Sequence, residues 1–317
     1  MRNIWDEFVS ISNNGTIFHK QSFLAYHIER KFTNHSLLFY NVNKLICVFP
    51  AIESMLCKEK ILHSHPGASF GGLVVRDGVT FSMCNRILDA LESYCKKQKI
   101  KSIIMINTPL IYYKKRDESL NYLLSWKNYD IEERYISHYV SLSSIKNLKQ
   151  LLNKRKQRYL KDILIKKEFN IVPSNNFNAF YDLLVSAKKE FKIKPTHSLD
   201  ELKKLQQLFP GSIKLLVSKK NNIVAGGVVL FVANKKTCLV FYNVVKQQYK
   251  KSNLALLQLY NIMTIAKQQK YQTLDFGVSH SPSSSNPYNP KFSLINFKEQ
   301  LGARGVMRIV YKKNLNE

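Results

Sequence analysis

Apolar positions along this chain fall into short continuous or alternating runs and two longer stretches of helical spacing, and their order predicts the architecture. Residues 35–41 and 45–50 are β-rich runs separated by Val42, Asn43 and Lys44, the pattern of a hairpin. Residues 61–64 lead into the small-residue stretch His65-Pro66-Gly67-Ala68-Ser69-Phe70-Gly71-Gly72, which enters a strand at Leu73-Val74-Val75. Between Ser82 and Gln98 the apolar residues Met83, Ile87, Leu88, Leu91 and Tyr94 recur at helical spacing, and Lys96, Lys97 and Lys99 suit the negative end of the helix dipole. Residues 103–106 are then a fully apolar strand.

The second half repeats this order. Residues 213–218 and 223–232 flank a turn at 219–222, 237–245 is a further strand, 253–269 a helix and 273–276 an apolar strand. In both halves the helix ends in a Lys/Gln cluster, Lys96-Lys97-Gln98-Lys99 or Lys267-Gln268-Gln269-Lys270, and delivers a strand after a turn. An antiparallel meander followed by a helical crossover is a mixed α/β layer, and its repetition predicts two related domains. We expect an N-terminal domain over 1–142, a basic helical connector over 143–170, and a C-terminal domain over 171–317. The connector carries Lys149, Lys154, Arg155, Lys156, Arg158, Lys161, Lys166 and Lys167 above a helical stripe that includes Leu148, Leu152, Leu160 and Ile163. It reads either as a solvated helix face or as a rim that attracts a polyanion.

One stretch stands apart. After Leu274-Asp275-Phe276-Gly277 the chain runs through a long Ser-, Asn- and Pro-rich loop before a helix at 293–301 and a strand at 304–311. Loops of that length inside a compact domain are usually functional or disordered, and this one is anchored at both ends.

Composition narrows the picture. The 45% hydrophobic content is that of a globular protein. Five scattered cysteines without CxxC spacing argue against a zinc site or a disulfide scaffold. There is no apolar signal-peptide core, and the longest apolar run, 223–233, is too short to cross a bilayer, so a soluble cytoplasmic protein is expected. The net charge of +27 favours phosphate-bearing partners without choosing among them, and a Lys- and Asn-rich composition also arises with no binding role. His63-x-His65 lacks a third ligand, and no Walker loop, GxGxxG after a strand or GxSxG elbow is present, so no metal is expected.

The tandem pattern HSHPGASFGGLVV in the first half, and LDFGVSHS followed by FSLINFKEQLGARGV in the second, resembles the FemAB-like branch of the GNAT acyltransferase superfamily. KPTHSLDEL at 194–202 is similar too, so the resemblance covers nearly the whole chain. It implies two tandem GNAT-like domains with mixed, mostly antiparallel sheets flanked by helices, and an acyl acceptor lying between the domains. Members are aminoacyl-tRNA-dependent peptidoglycan transferases, or acyl-CoA-type transferases acting on sugars and other envelope precursors. The expected activity is therefore acyl or aminoacyl transfer to an amine or hydroxyl of a bacterial cell-envelope sugar or precursor. The donor would be acyl-CoA, an acyl carrier protein or an aminoacyl-tRNA. No DNA partner is implied, and the charge is compatible with peripheral association with the inner membrane. A non-catalytic RNA- or polyanion-binding module on the same fold is the rival reading.

By the resemblance, the pyrophosphate of a donor would sit where strand 240–245 passes to the helix at Asn253, with Asn243, Lys250, Lys251, Ser252 and Asn253 as donor contacts. That segment holds no glycine, which works against close backbone approach to a pyrophosphate and hence against acetyl-CoA. Ser252 or Asn253 reads equally well as a helix N-cap. Lys298, after Phe297 on the late helix, matches the family position of a cation near the reacting ester, where it would stabilise an oxyanion. Asp275 would orient the acceptor or accept its proton, and Tyr242 would address the acyl carbonyl, although a tyrosine there also suits a core. Ser69, Phe70, Gly71 and Gly72 from the first half, and Phe276, Gly277, Ser279 and His280 from the second, are the expected acceptor contacts. Gly71 and Gly72 are expected to offer exposed N–H groups, and the loop 279–289, with Tyr288 and Phe292, to close over the acceptor.

Overall fold

The computed structural model describes residues 2–28, 31–56, 59–190, 192–280 and 288–315. It divides into two compact units, Met1–Tyr135 with Met307–Glu317, and Ile136–Val306. In chain order the first half comprises α1 (Arg2–Ile11), α2 (Gln21–Leu24), β1 (Thr33–Asn34), β2 (Leu37–Asn41), β3 (Lys44–Phe49), β4 (Ala51–Leu56), β5 (Glu59–Ser64), β6 (Val74–Val75), α3 (Phe81–Lys97), β7 (Ser102–Ile106) and α4 (Ser119–Trp126). β8 (Asp130–Ser141) leads into the second half, with α5 (Lys154–Lys166), β9 (Asn170–Ser174), α6 (Phe177–Lys189), α7 (Leu199–Leu208), β10 (Ile213–Lys220), β11 (Ile223–Val232), β12 (Thr237–Val245), α8 (Leu254–Gln268), β13 (Thr273–Val278), α9 (Phe292–Glu299) and β14 (Arg304–Asn314).

In the first unit β4 and β5 are antiparallel neighbours, and after α3 the chain returns in β7 parallel to β5. Thr80 caps α3 by accepting from the Met83 N–H, and the stripe Cys84, Ile87, Leu88, Leu91 and Cys95 is buried in the core with Leu62, Ile103 and Met105. β1 flanks β4, and β14 flanks β7 antiparallel with Val310 opposite Ile106. β2, β3 and β6 form a separate antiparallel sheet.

The second unit repeats the plan. β11 and β12 are antiparallel, and after α8 the chain returns in β13 parallel to β12. β8 flanks β13 antiparallel, while β10 and β9 continue the sheet beyond β11. Residues 143–170, expected as a connector, belong to this unit's core. Leu148, Leu152, Leu160 and Ile163 are buried with Leu254, Leu257 and Ile262 of α8, because an apolar stripe on a helix must bury itself somewhere. The domain limits accordingly differ from those expected at 142 and 171, since the second unit starts at Ile136 and the chain from Met307 joins the first.

Two irregularities shape the end of β13. β12 and β13 pair only from Thr237↔Thr273 to Leu239↔Asp275, and just beyond that seam β12 carries a bulge, Tyr242 pairing Val229 and Val240 pairing Leu230, which leaves Phe241 as the extra residue. On the other side, Asp275 pairs Tyr139 but Val278 pairs Ser137, so β13 holds one more residue than β8. Gly277 within that bulge has φ +75°, in the left-handed region that favours glycine.

Candidate functional site

The bulge at Gly277 decides which side chains meet. In a regular strand Asp275 and Ser279 would share a face; one inserted residue reverses the alternation and sends them to opposite faces. Ser137 and His138, consecutive on β8, also point to opposite faces, and each finds one of them. Ser137 Oγ donates to Asp275 Oδ1 at 2.8 Å, and His138 Nδ1 lies 2.9 Å from Ser279 Oγ. Asp275 Oδ1 also accepts from the Gly277 N–H at 2.7 Å, which ties the carboxylate to the turn.

α9 delivers Lys298 to the same turn. Its Nζ donates to Gly277 O at 2.7 Å, Val278 O at 3.0 Å and Ser279 Oγ at 2.9 Å, so three acceptors take the ammonium's three hydrogens. The group is closed off from water, with Lys298 4%, Asp275 3%, His138 2% and Ser279 0% exposed. Burial lowers the Lys298 amine from 10.5 to about 8, and the nearby Asp275 carboxylate works against that shift. His138 is held below its ordinary value, first by burial and then by the Lys298 charge, with Glu299 and Asp275 opposing. Phe297 faces the other way, and the Lys156 ammonium of α5 lies 4.9 Å from its ring centroid.

Lys298 thus meets Gly277 and Ser279 directly, Asp275 joins the turn from its other face through the Gly277 N–H, and Phe276 beside them is buried in the apolar core. His280 forms an isolated bridge with Pro290. Residues 281–287 of the expected lid lie outside the described residues; Tyr288 and Phe292 are exposed. Ser137 and His138 carried no signal of their own in the sequence beyond being two polar residues inside a strand run.

Tyr242 sits on β12 among Phe180, Phe241 and His197. Its hydroxyl accepts from the His197 N–H at 3.3 Å and lies 3.0 Å from His197 Nδ1, and burial raises its pKa, so it stays a neutral phenol anchoring the segment before α7. The neighbouring Asn243 keeps its Oδ1 buried without a hydrogen-bond partner among the described residues. Residues Gln247–Ser252 form a 3-10 helix, and Asn253 then adopts φ +61° ahead of α8 without a side-chain cap. Ser252 Oγ donates to Tyr249 O at 2.7 Å, Lys250 is paired with Glu190, and Lys251 is exposed.

The first-unit candidates are packed inside that unit. Phe70 contacts Phe18 and Tyr112, the Gly71 N–H donates to Ile106 O at 2.8 Å, and Gly71 O lies 2.9 Å from His19 Nε2. The expectation that Gly71 offers an exposed N–H is therefore corrected: sheet packing takes it. Gly72 has φ +73°, and a Cβ there would lie 2.7 Å from Asn107 Oδ1. Ser69 is half-buried. Among the described residues no group of three or more His, Cys, Asp or Glu could hold a metal ion, and no helix is long and apolar enough to cross a membrane.

The sequence matches no protein-family model and no curated protein. Solved structures do match. FemX superposes with a TM-score of 0.76 at 12% identity, covering 100% of this chain and 96% of that one. L-PGS from Bacillus licheniformis gives 0.58 at 13% identity, covering 100% and 93%. A tandem GNAT protein from the clavulanic acid biosynthesis pathway gives 0.51 at 9% identity, covering 99% and 95%. At such identities the likeness is one of fold, and this chain shares its fold with FemX and with the tandem GNAT protein.

Proposed function

We propose that this chain is a FemAB-like transferase that moves an acyl or aminoacyl group from an ester or thioester donor to an amine or hydroxyl of a cell-envelope sugar or precursor. The observation that carries the reading is the buried cluster of Lys298, Asp275 and Ser279 on the turn where β13 leaves β12. A buried cation and carboxylate cost free energy to desolvate, and such groups persist where chemistry uses them. In this reading Asp275 orients the acceptor and takes up the proton released on attack. Lys298, with its hydrogens already on acceptors of the turn, acts as a fixed positive charge behind it and favours negative charge on the acyl oxygen. Attack is direct, and positioning supplies much of the rate.

The donor-binding reading rests on Asn243, whose orphaned buried oxygen sits on the strand that leads to α8, and on the exposed Lys251. The glycine-free 3-10 helix before α8 favours an aminoacyl-tRNA or acyl carrier over acetyl-CoA. The test is to incubate the purified chain with aminoacyl-tRNA or acyl-CoA donors against nucleotide-linked sugar precursors and anionic lipids, and to detect product by mass spectrometry. Lys298→Ala and Asp275→Asn should each slow turnover by on the order of a hundredfold. Full activity in both would sink the assignment.

The second reading, a polyanion-binding module, is favoured by the basic face of α5, where Lys154, Arg155, Arg158, Lys161 and Lys166 are exposed beside a single Asp162. Such a module would lose RNA affinity when several of these cations are neutralised and would be indifferent to Asp275→Asn.

A further inference from the structure

We infer that His138 is a positioning residue for Lys298, acting through the hydroxyl of Ser279 to keep the lysine protonated. Lys298 as an ammonium has three hydrogens, and its neighbours at 2.7, 3.0 and 2.9 Å are two carbonyl oxygens and Ser279 Oγ. Ser279 Oγ therefore accepts from Lys298, and its own hydrogen needs an acceptor within a site that is fully buried. His138 Nδ1, 2.9 Å away, is the acceptor in place. That fixes His138 as the neutral tautomer with its hydrogen on Nε2, because a hydrogen on Nδ1 would leave the serine hydrogen without a partner. The lowered proton affinity of His138 agrees with a neutral ring.

The consequence concerns Lys298. As a free amine it would keep two N–H groups for Gly277 O and Val278 O, and its lone pair would face Ser279. The serine hydrogen could then turn toward that lone pair and stabilise the neutral amine. His138 competes for the same hydrogen, so the ammonium form leaves no buried hydrogen unpaired only while His138 accepts from Ser279. The charged groups around the pair are Asp275 on β13, which favours the ammonium, and Glu299 on α9, which acts with Asp275 on His138. Burial opposes the ammonium, and the hydrogen-bond relay helps to hold it at neutral pH.

This role gains its purpose from the reading of Lys298 as a functional cation, yet it is tested by titration without a substrate, so the two can fail separately. The Lys298 midpoint is read by NMR of lysine labelled at Cε and Nζ. His138→Leu should lower it from about 8 by about one pH unit, a tenfold change in proton affinity. His138→Asn, whose Oδ1 can accept where Nδ1 did, should restore most of the shift. In a Ser279→Ala background, His138→Leu should add nothing, because the relay is already gone. An unchanged midpoint in a folded His138→Leu protein, or an equal shift with and without Ser279, overturns the inference. Should that variant not fold, 15N NMR of the parent decides it: a His138 hydrogen on Nε2 supports the relay and one on Nδ1 refutes it.

Discussion

Replacing Lys298 by methionine sets two effects of known sign against each other. Burial lowers the amine from 10.5 to about 8, a desolvation cost of about 3 kcal/mol at about 1.4 kcal/mol per pH unit, and methionine relieves it. Against this, Gly277 O, Val278 O and Ser279 Oγ lose a donor, at about 1–3 kcal/mol for each buried group left unpaired. Asp275 loses its nearby cation as well. Together the three unpaired acceptors cost about 3–9 kcal/mol against about 3 kcal/mol relieved, so at pH 7 the variant should be less stable by up to about 6 kcal/mol. The pH dependence is the sharper measurement. Between about pH 8 and 10.5 the unfolded chain still holds the Lys298 proton that the folded chain has released, so stability rises with pH in the parent, by up to about 1.4 kcal/mol per unit, and not in the variant. Urea unfolding of both proteins at pH 7, 8.5 and 10 isolates the effect, since other groups cancel in the difference. A gap that stays constant across these values would refute the picture of a desolvated ammonium held by three acceptors.

Gly277→Ala should cost about 1–2 kcal/mol in urea unfolding, from left-handed backbone strain, because the added Cβ would lie at an ordinary 3.6 Å from Val240 O; an unchanged midpoint would show that the bulge does not need glycine. His19, fully buried and lowered from 6.5 to about 4, should lose stability as pH falls from 6.5 toward 4, by about 3 kcal/mol in all, because the unfolded chain takes up the proton first. In His19→Gln that part of the acid sensitivity should vanish, and an identical acid slope in both proteins would contradict it. Acetyl-CoA should bind weakly in calorimetry; micromolar binding abolished by Lys251→Ala would overturn the donor preference.

What the sequence discloses and what it withholds follow from the range of the interactions. Helices α3 and α8 and the strands they deliver were legible because a one-sided apolar stripe and a fully apolar run are local patterns. Within 143–170 the apolar stripe of α5, Lys154–Lys166, was equally legible as a helix, whereas Leu148 and Leu152 precede it in a 3-10 turn and a break, and the surface that covers them all, α8, lies about a hundred residues on. Asp275, Gly277, Ser279 and Lys298 lie within one contiguous stretch, so a single motif brings them into view. Ser137 and His138 stand 138 and 141 residues from their partners, and only the pairing of β8 with β13 and the inserted residue at Gly277 bring them there. The N–H of Gly71 differs from expectation for the same reason: its acceptor, Ile106 O, belongs to a strand whose place in the sheet no local pattern announces.

The pairing of β7 with β14 has a consequence for how the protein is made. β7 is complete at Ile106, while its neighbour begins its ladder at Val310, so the first unit lacks a sheet strand until about two hundred further residues have been synthesised. At about 5–20 residues per second that wait lasts roughly 10–40 s, during which the edge of β7 presents unpaired N–H and C=O groups. The second unit, Ile136–Val306, has all its own strands before then. A chain released after residue 306 would thus hold every strand of the second unit and an unfinished first one, and loss of β14 would damage the half of the protein that is translated first.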